Sequence, residues 1–215
     1  MTSSELKLKA KELLNGKKKN AAIMLLVFLV ISWVLTALLN SIFPAKETTQ
    51  VIYGTAVKMT EANPLASIIQ SFVSIFLGLG MTSYYMKLAR GEEPELTELF
   101  SKGNILLKAF VSAFLTGIVV LLGTIAFIIP GIILAFGYSM INYIYIDNPE
   151  VGITEVMKKS REMMKGHKWQ YFCLCFSFIG WFLLTPFTLG ILLFWLIPYI
   201  GVTTALFYDG IKDGE

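Results

Sequence analysis

The residue types that carry most enzyme chemistry are scarce in this chain. Its one histidine, His167, lies in a basic stretch, Lys165-Gly166-His167-Lys168. A lone histidine with no acids at ligand spacing does not make a metal site. Cys173 and Cys175 stand as Cys-Leu-Cys inside an apolar run, which is neither a zinc spacing nor a Cys-x-x-Cys pair. They read as two small apolar residues of a helix. Ser177 has no base near it in sequence, and a serine bonding its own helix accounts for it. No nucleophile elbow, zinc-helix or phosphate-loop motif occurs. An intramembrane enzyme would have to gather His167, Tyr145 and Asp147, and their spacing does not bring them together. The expectation is a protein that is not an enzyme and takes no cofactor or metal.

The elements that must position these residues are apolar. The chain has 215 residues, 55% hydrophobic and 15% charged, with a mean hydropathy of +0.67. A soluble domain carries about 25% charged residues. This composition excludes a disordered chain, a collagen-like fibre and a disulfide scaffold. A net charge of +3 is too small to suggest nucleic-acid binding. No charge lies deep in any apolar run, since Lys108 is near enough to an end to snorkel. That speaks against a proton-coupled pump, which needs intramembrane ionisable groups.

A bilayer core takes about 20 apolar helical residues. Ala21 to Phe43 and Leu65 to Met86 are two such runs. Ile105 to Ile146 would measure roughly 63 Å as one helix, about twice the hydrocarbon thickness, so it must fold back. Pro130-Gly131 is the natural break. Trp169 to Tyr208 holds no charge before its end and also demands two spans, turning near Pro186 and Leu189-Gly190. Pro198 would kink the last helix. The reading is an all-α polytopic membrane helix bundle. Its six transmembrane helices fall near 21–43, 65–86, 107–129, 131–146, 169–186 and 188–208. The first run is too long for a signal peptide and is read as a retained span.

Sixteen of the eighteen basic residues fall on one side of this arrangement, leaving only Lys46 and Lys58 on the other. The positive-inside rule then puts both termini in the cytoplasm. Tyr84, Tyr85, Tyr143, Tyr145, Trp169, Tyr171 and Tyr208 sit at the same ends and read as an interfacial aromatic belt.

Each basic segment repeats one order of parts: a short amphipathic helix, a glycine with a basic or amide neighbour, then a hairpin. The apolar faces are Leu6, Ala10, Leu13 and Leu14; Leu96, Leu99 and Phe100; and Ile153, Val156, Met157, Met163 and Met164. Thr2 and Glu5 suit a capping box on the first. The chain is one domain, 1–215, with a threefold hairpin repeat over 1–64, 65–146 (cytoplasmic segment 87–106) and 147–215. The three helices are read as lying on the inner leaflet, with Lys17, Lys18, Lys19, Lys165, His167 and Lys168 meeting lipid headgroups. Packing under the bundle would need the same apolar faces. Two small-residue stripes, Ser67, Ser71, Ser74 and Gly78, and Gly131, Ala135 and Ser139, read as helix-packing surfaces. On that reading Gly78→Leu disrupts folding.

Several stretches carry a likeness to a known group. They are Ser3 to Lys7, Ile146-Asp147-Asn148-Pro149, Ser160 to Lys168, Phe176 to Trp181, Leu196-Ile197-Pro198-Tyr199 and Phe207-Tyr208. Together they resemble the domain-of-unknown-function 975 family, bacterial integral membrane proteins. The resemblance implies a plasma-membrane protein of unassigned activity and brings no catalytic residues. The expected role is a non-enzymatic accessory or scaffold, or a stress- or immunity-type membrane protein. Its expected partners are the lipid bilayer and a membrane protein. The alternative is a small-molecule or lipid-handling transporter with a wet mid-membrane cavity lined by Asn40, Gln70 or Asn142. Orientation is checked by thiol labelling of cells. A cysteine at Lys58 should react with an impermeant reagent from outside and one at Lys159 should not; equal labelling breaks the topology.

Overall fold

The computed structural model describes residues 2–53 and 55–212. Among these, five helical stretches are long and apolar enough to cross a membrane: Lys18–Ile42, Pro64–Ala89, Leu96–Ala126, Ile128–Asp147 and Leu193–Lys212. The element order is α1 (Ser3–Leu13), α2 (Lys18–Ile42), β1 (Lys46–Ile52), β2 (Thr55–Glu61), α3 (Pro64–Ala89) and α4 (Leu106–Ala126). Then come α5 (Ile128–Gly137), α6 (Ile141–Asp147), α7 (Ile153–Met163), α8 (Lys168–Phe176), α9 (Ile179–Leu184) and α10 (Leu193–Lys212). The expected span at 169–186 is α8 and α9 together, Lys168–Leu184, a 17-residue stretch interrupted at Ser177 and Phe178. At 1.5 Å per residue it is about 26 Å long, short of the ~30 Å hydrocarbon layer.

The fold is mostly helical but not all-α. Between α2 and α3 the chain forms an antiparallel hairpin, with register running from Lys46↔Glu61 to Ile52↔Thr55. Two residues make the connection, and Tyr53 takes the left-handed φ of +50° that such tight hairpin turns require. Threonine and valine in these strands favour extended backbone.

Other expectations are corrected. The break between α4 and α5 falls at Phe127, which is extended at φ −160°, ψ 140°, and not at Pro130-Gly131. Pro130 sits in the first turn of α5, where a missing N–H costs nothing. Pro186 opens a short 3-10 turn, Pro186–Thr188, ahead of the reversal at Leu189 and Gly190. Pro198 lies within α10 and is buried there.

The middle basic segment is no amphipathic α-helix. From Pro94 to Gly103 it is eight residues shorter than the corresponding run from Pro149 to Gly166, two helical turns, and forms only a 3-10 turn at Leu96–Phe100. α1 and α7, by contrast, match residue for residue at a spacing of 150. Leu6, Ala10 and Leu14 are buried on one, and Val156, Ser160 and Met164 on the other. Both are followed by a glycine in the left-handed region, Gly16 at φ +81° and Gly166 at φ +90°, a conformation that suits glycine at a helix C-terminus. The Thr2–Glu5 capping box forms on α1.

The core gathers where α3, α6 and α10 finish. Leu77 to Ala89, Ile141 to Tyr145 and Val202 to Tyr208 supply about half of it, while much of α2, α4 and α9 presents leucine, isoleucine and phenylalanine outward. Lipid tails are as apolar as leucine, so such faces cost nothing in a bilayer. The expected tyrosine belt is instead core. Tyr84, Tyr85, Tyr145 and Tyr208 are buried, Tyr143 stacks on Tyr208 at 5.2 Å and Tyr171 meets Phe207 at 5.1 Å. Trp169 alone of that set is exposed.

Of the small-residue stripes only Gly131 makes a close contact, with Thr124. Ser67, Ser71, Ser74 and Ala135 are exposed, Ser139 is half-buried with its hydroxyl donating to the Phe136 carbonyl, and a methyl group at Gly78 would meet open space. The other close approaches lie outside both stripes. Gly80 lies against the backbone of Leu99, Gly123 against Leu134 and Gly201 against the ring of Tyr85. Gly80→Val should therefore lose the folded protein, because the obstacle is backbone. Gly78→Leu should stay within about 0.5 kcal/mol of the parent, as surface changes do. Thermal melting in detergent checks both, and a Gly80→Val protein melting with the parent would refute the contact.

Candidate functional site: an ion-pair knot at the helix ends

Three helices, α3, α6 and α10, each bring a charged residue to their C-terminal end: Arg90 just after α3, Asp147 as the last residue of α6 and Asp209 in the last turn of α10. The charges meet. Arg90 donates from Nη1 and Nη2 to the Asp147 carboxylate at 2.9 and 3.1 Å. It donates from Nε and Nη2 to Asp209 at 3.2 and 2.7 Å. Four of the guanidinium's five N–H groups are thus spent in two forked pairs, the geometry for which arginine is suited. Asp147 also accepts from Tyr208 Oη at 3.1 Å and from Lys212 Nζ at 2.7 Å.

The cluster holds two cations and two carboxylates and is neutral. The Asp147 side chain keeps 9% of its exposure, Asp209 24% and Arg90 34%. Hydrogen bonds to Asp209, and then to Asp147, hold the Arg90 guanidinium in its charged form still more firmly than usual.

The helix ends are fixed for local reasons. α3 closes as the Arg90 N–H returns to the Met86 and Lys87 carbonyls and Gly91 turns left-handed at φ +82°. Lys17, just ahead of α2, donates to the carbonyls of Glu92 at 3.1 Å and Gly91 at 3.5 Å, satisfying groups past the end of α3. A second cluster pins the connection after α3. Glu98 is buried and accepts from Ser83 Oγ and Lys87 Nζ, both at 2.6 Å, and from Ser101 Oγ at 2.8 Å. This holds Leu99 against Gly80.

The residues singled out from sequence disperse. Tyr145 hydrogen-bonds Ser112 at 2.7 Å, Asp147 is in the knot, and His167 Nδ1 lies 3.4 Å from Gln170 Oε1. Among the described residues these three are not joined. Cys173 is half-buried and Cys175 exposed, both as free thiols. Lys18, Lys19 and Lys165 are exposed and Lys168 lies beside Gly137, so the six basic positions divide between the α1–α2 and α7–α8 turns. Sequence reading missed Arg90, Asp209, Lys212 and Glu98. The available signal was a charge at the C-terminal end of each of three apolar runs.

What these elements define is a chain of long apolar helices, the make-up of a helical membrane protein, cross-braced at one end by ion pairs. It belongs to a family described as a protein of unknown function (DUF975), whose model matches residues 1–137 and 124–215. No curated protein and no solved structure matches the chain.

Arg90→Gln leaves Asp147 and Asp209 without their shared cation. Breaking a buried pair costs 3–5 kcal/mol, and the partial exposure of Arg90 reduces this to about 2 kcal/mol. Asp209→Asn, at the more exposed carboxylate, should cost less than Asp147→Asn. Melting temperatures in detergent give the order, and an unchanged value for Arg90→Gln would dismiss the knot as a brace.

Proposed function

We propose that this protein is a six-span protein of a bacterial plasma membrane, both termini cytoplasmic, which acts without chemistry of its own as a scaffold or accessory subunit. One observation carries the reading: in the most extensive polar cluster described, Arg90, Asp147, Asp209, Lys212 and Tyr208, each charge is satisfied by another. A reaction site needs a base, acid or nucleophile free to act on a substrate. The knot instead joins the ends of α3, α6 and α10, as a frame does.

The charge distribution supports the orientation, since the knot lies at the ends rich in lysine and arginine. α8, α9 and the Pro186–Thr188 turn serve as the fifth of the six spans, reached with local thinning of the bilayer. α1 and α7 pack their apolar faces under the bundle and turn their basic ends toward headgroups. Uncovered apolar faces on α2 and α4 offer surface to a partner within the membrane. The transporter alternative draws less support. Asn40 and Asn142 are exposed, Gln70 is half-buried, and the grooves described around α1 and α10, α7, and α3 and α4 are lined by other residues.

The test is purification of the tagged protein from crosslinked native membranes in mild detergent. A membrane protein should co-purify reproducibly and above an unrelated six-span control. No such protein in repeated preparations would overturn the scaffold role.

A further inference from the structure

A groove of about 500 Å³ opens between the N-terminal helix and the third hairpin, and its two walls differ in kind. One wall is cationic. Lys11 comes from the last turn of α1 and Lys18 from the first residue of α2, and the left-handed turn at Gly16 brings them to the same groove. Among the described residues neither lysine makes an ion pair, and no acid lines the groove. The other wall is apolar and aromatic: Trp181 from α9, and Leu192, Trp195, Leu196 and Tyr199 leading into and along α10. The Tyr199 hydroxyl donates to the Lys7 carbonyl at 3.2 Å, which ties the two walls together. Trp181 and Trp195 remain 47% and 48% exposed, so the groove is laterally open.

We propose that this groove binds one anionic phospholipid, its phosphate held by Lys11 and Lys18 and an acyl chain laid along Trp181, Leu192, Trp195 and Leu196. Its size suits a small amphiphile. A transmembrane helix seated here would shut two ammonium groups against an apolar wall, which is costly without a counter-charge. A free water-soluble anion would leave the tryptophan wall uncovered. A lipid with a negative headgroup satisfies both walls at once. The basic groove under α7, with Arg161, Lys165 and Lys168, carries no such inference, because Glu162 lies within it and it has no comparable apolar wall. The proposal needs the protein to be in a bilayer and does not depend on the scaffold role.

The test uses tryptophan quenching. Trp33→Phe and Trp169→Phe remove the other two tryptophans, both at exposed positions. The full chain is then placed in nanodiscs carrying a low mole fraction of brominated phosphatidylglycerol or brominated phosphatidylcholine. The expected result is several-fold stronger quenching by the anionic lipid. Lys11→Gln with Lys18→Gln should bring the two lipids level, while Lys158→Gln with Lys159→Gln, which removes the same charge elsewhere, keeps the preference. Equal quenching by the two lipids in the parent, or a preference that survives in Lys11→Gln/Lys18→Gln, overturns the site. Emission insensitive to either lipid marks a groove filled by protein and overturns it equally.

Discussion

The guanidinium of Arg90 is the point on which the ends of α3, α6 and α10 depend. Its fork reaches one carboxylate on α6 and another on α10, so α3, α6 and α10 can finish together only in one relative position. Buried ion pairs contribute little net stability compared with well-packed apolar side chains. What this one supplies is position. Two carboxylates held this close would repel without the cation between them, and the cation would be poorly solvated without them. Tyr208 and Lys212 complete the set from α10 itself.

Around that constraint the packing follows. The buried tyrosines and leucines gather at the same ends of the same helices, and Glu98 fastens the following connection back onto α3. Gly80 permits that fastening by letting Leu99 lie on the helix backbone. Away from the knot the helices turn apolar faces outward. Firm packing at one end and open apolar surface elsewhere is what a bilayer allows and water would not.

Much of the helical layout was legible because it rests on length. A run of apolar residues twice as long as a bilayer must turn, and the turn after Pro186 lies where that arithmetic puts it. Features that depend on which way a side chain faces were not legible. Ser67, Ser71 and Ser74 have the composition of a packing stripe and lie exposed, while the tight contact uses Gly80, two residues beyond Gly78. Tyr84, Tyr145 and Tyr208 have the placement of a membrane-interface belt and are core. The hairpin at Lys46–Glu61 escaped because its strands are short and carry no apolar run. The knot escaped because its members are 57 and 119 residues apart, and hydropathy carries no information on pairing at that range.

Those separations also impose an order in time. As the chain emerges, Arg90 is made first and Asp147 follows 57 residues later; Asp209 arrives only with the last helix. Until then Arg90 and Asp147 have each other but lack Asp209, Tyr208 and Lys212. α10 therefore acts as a closing latch, and its arrival, more than any earlier step, commits the helix ends to their final arrangement.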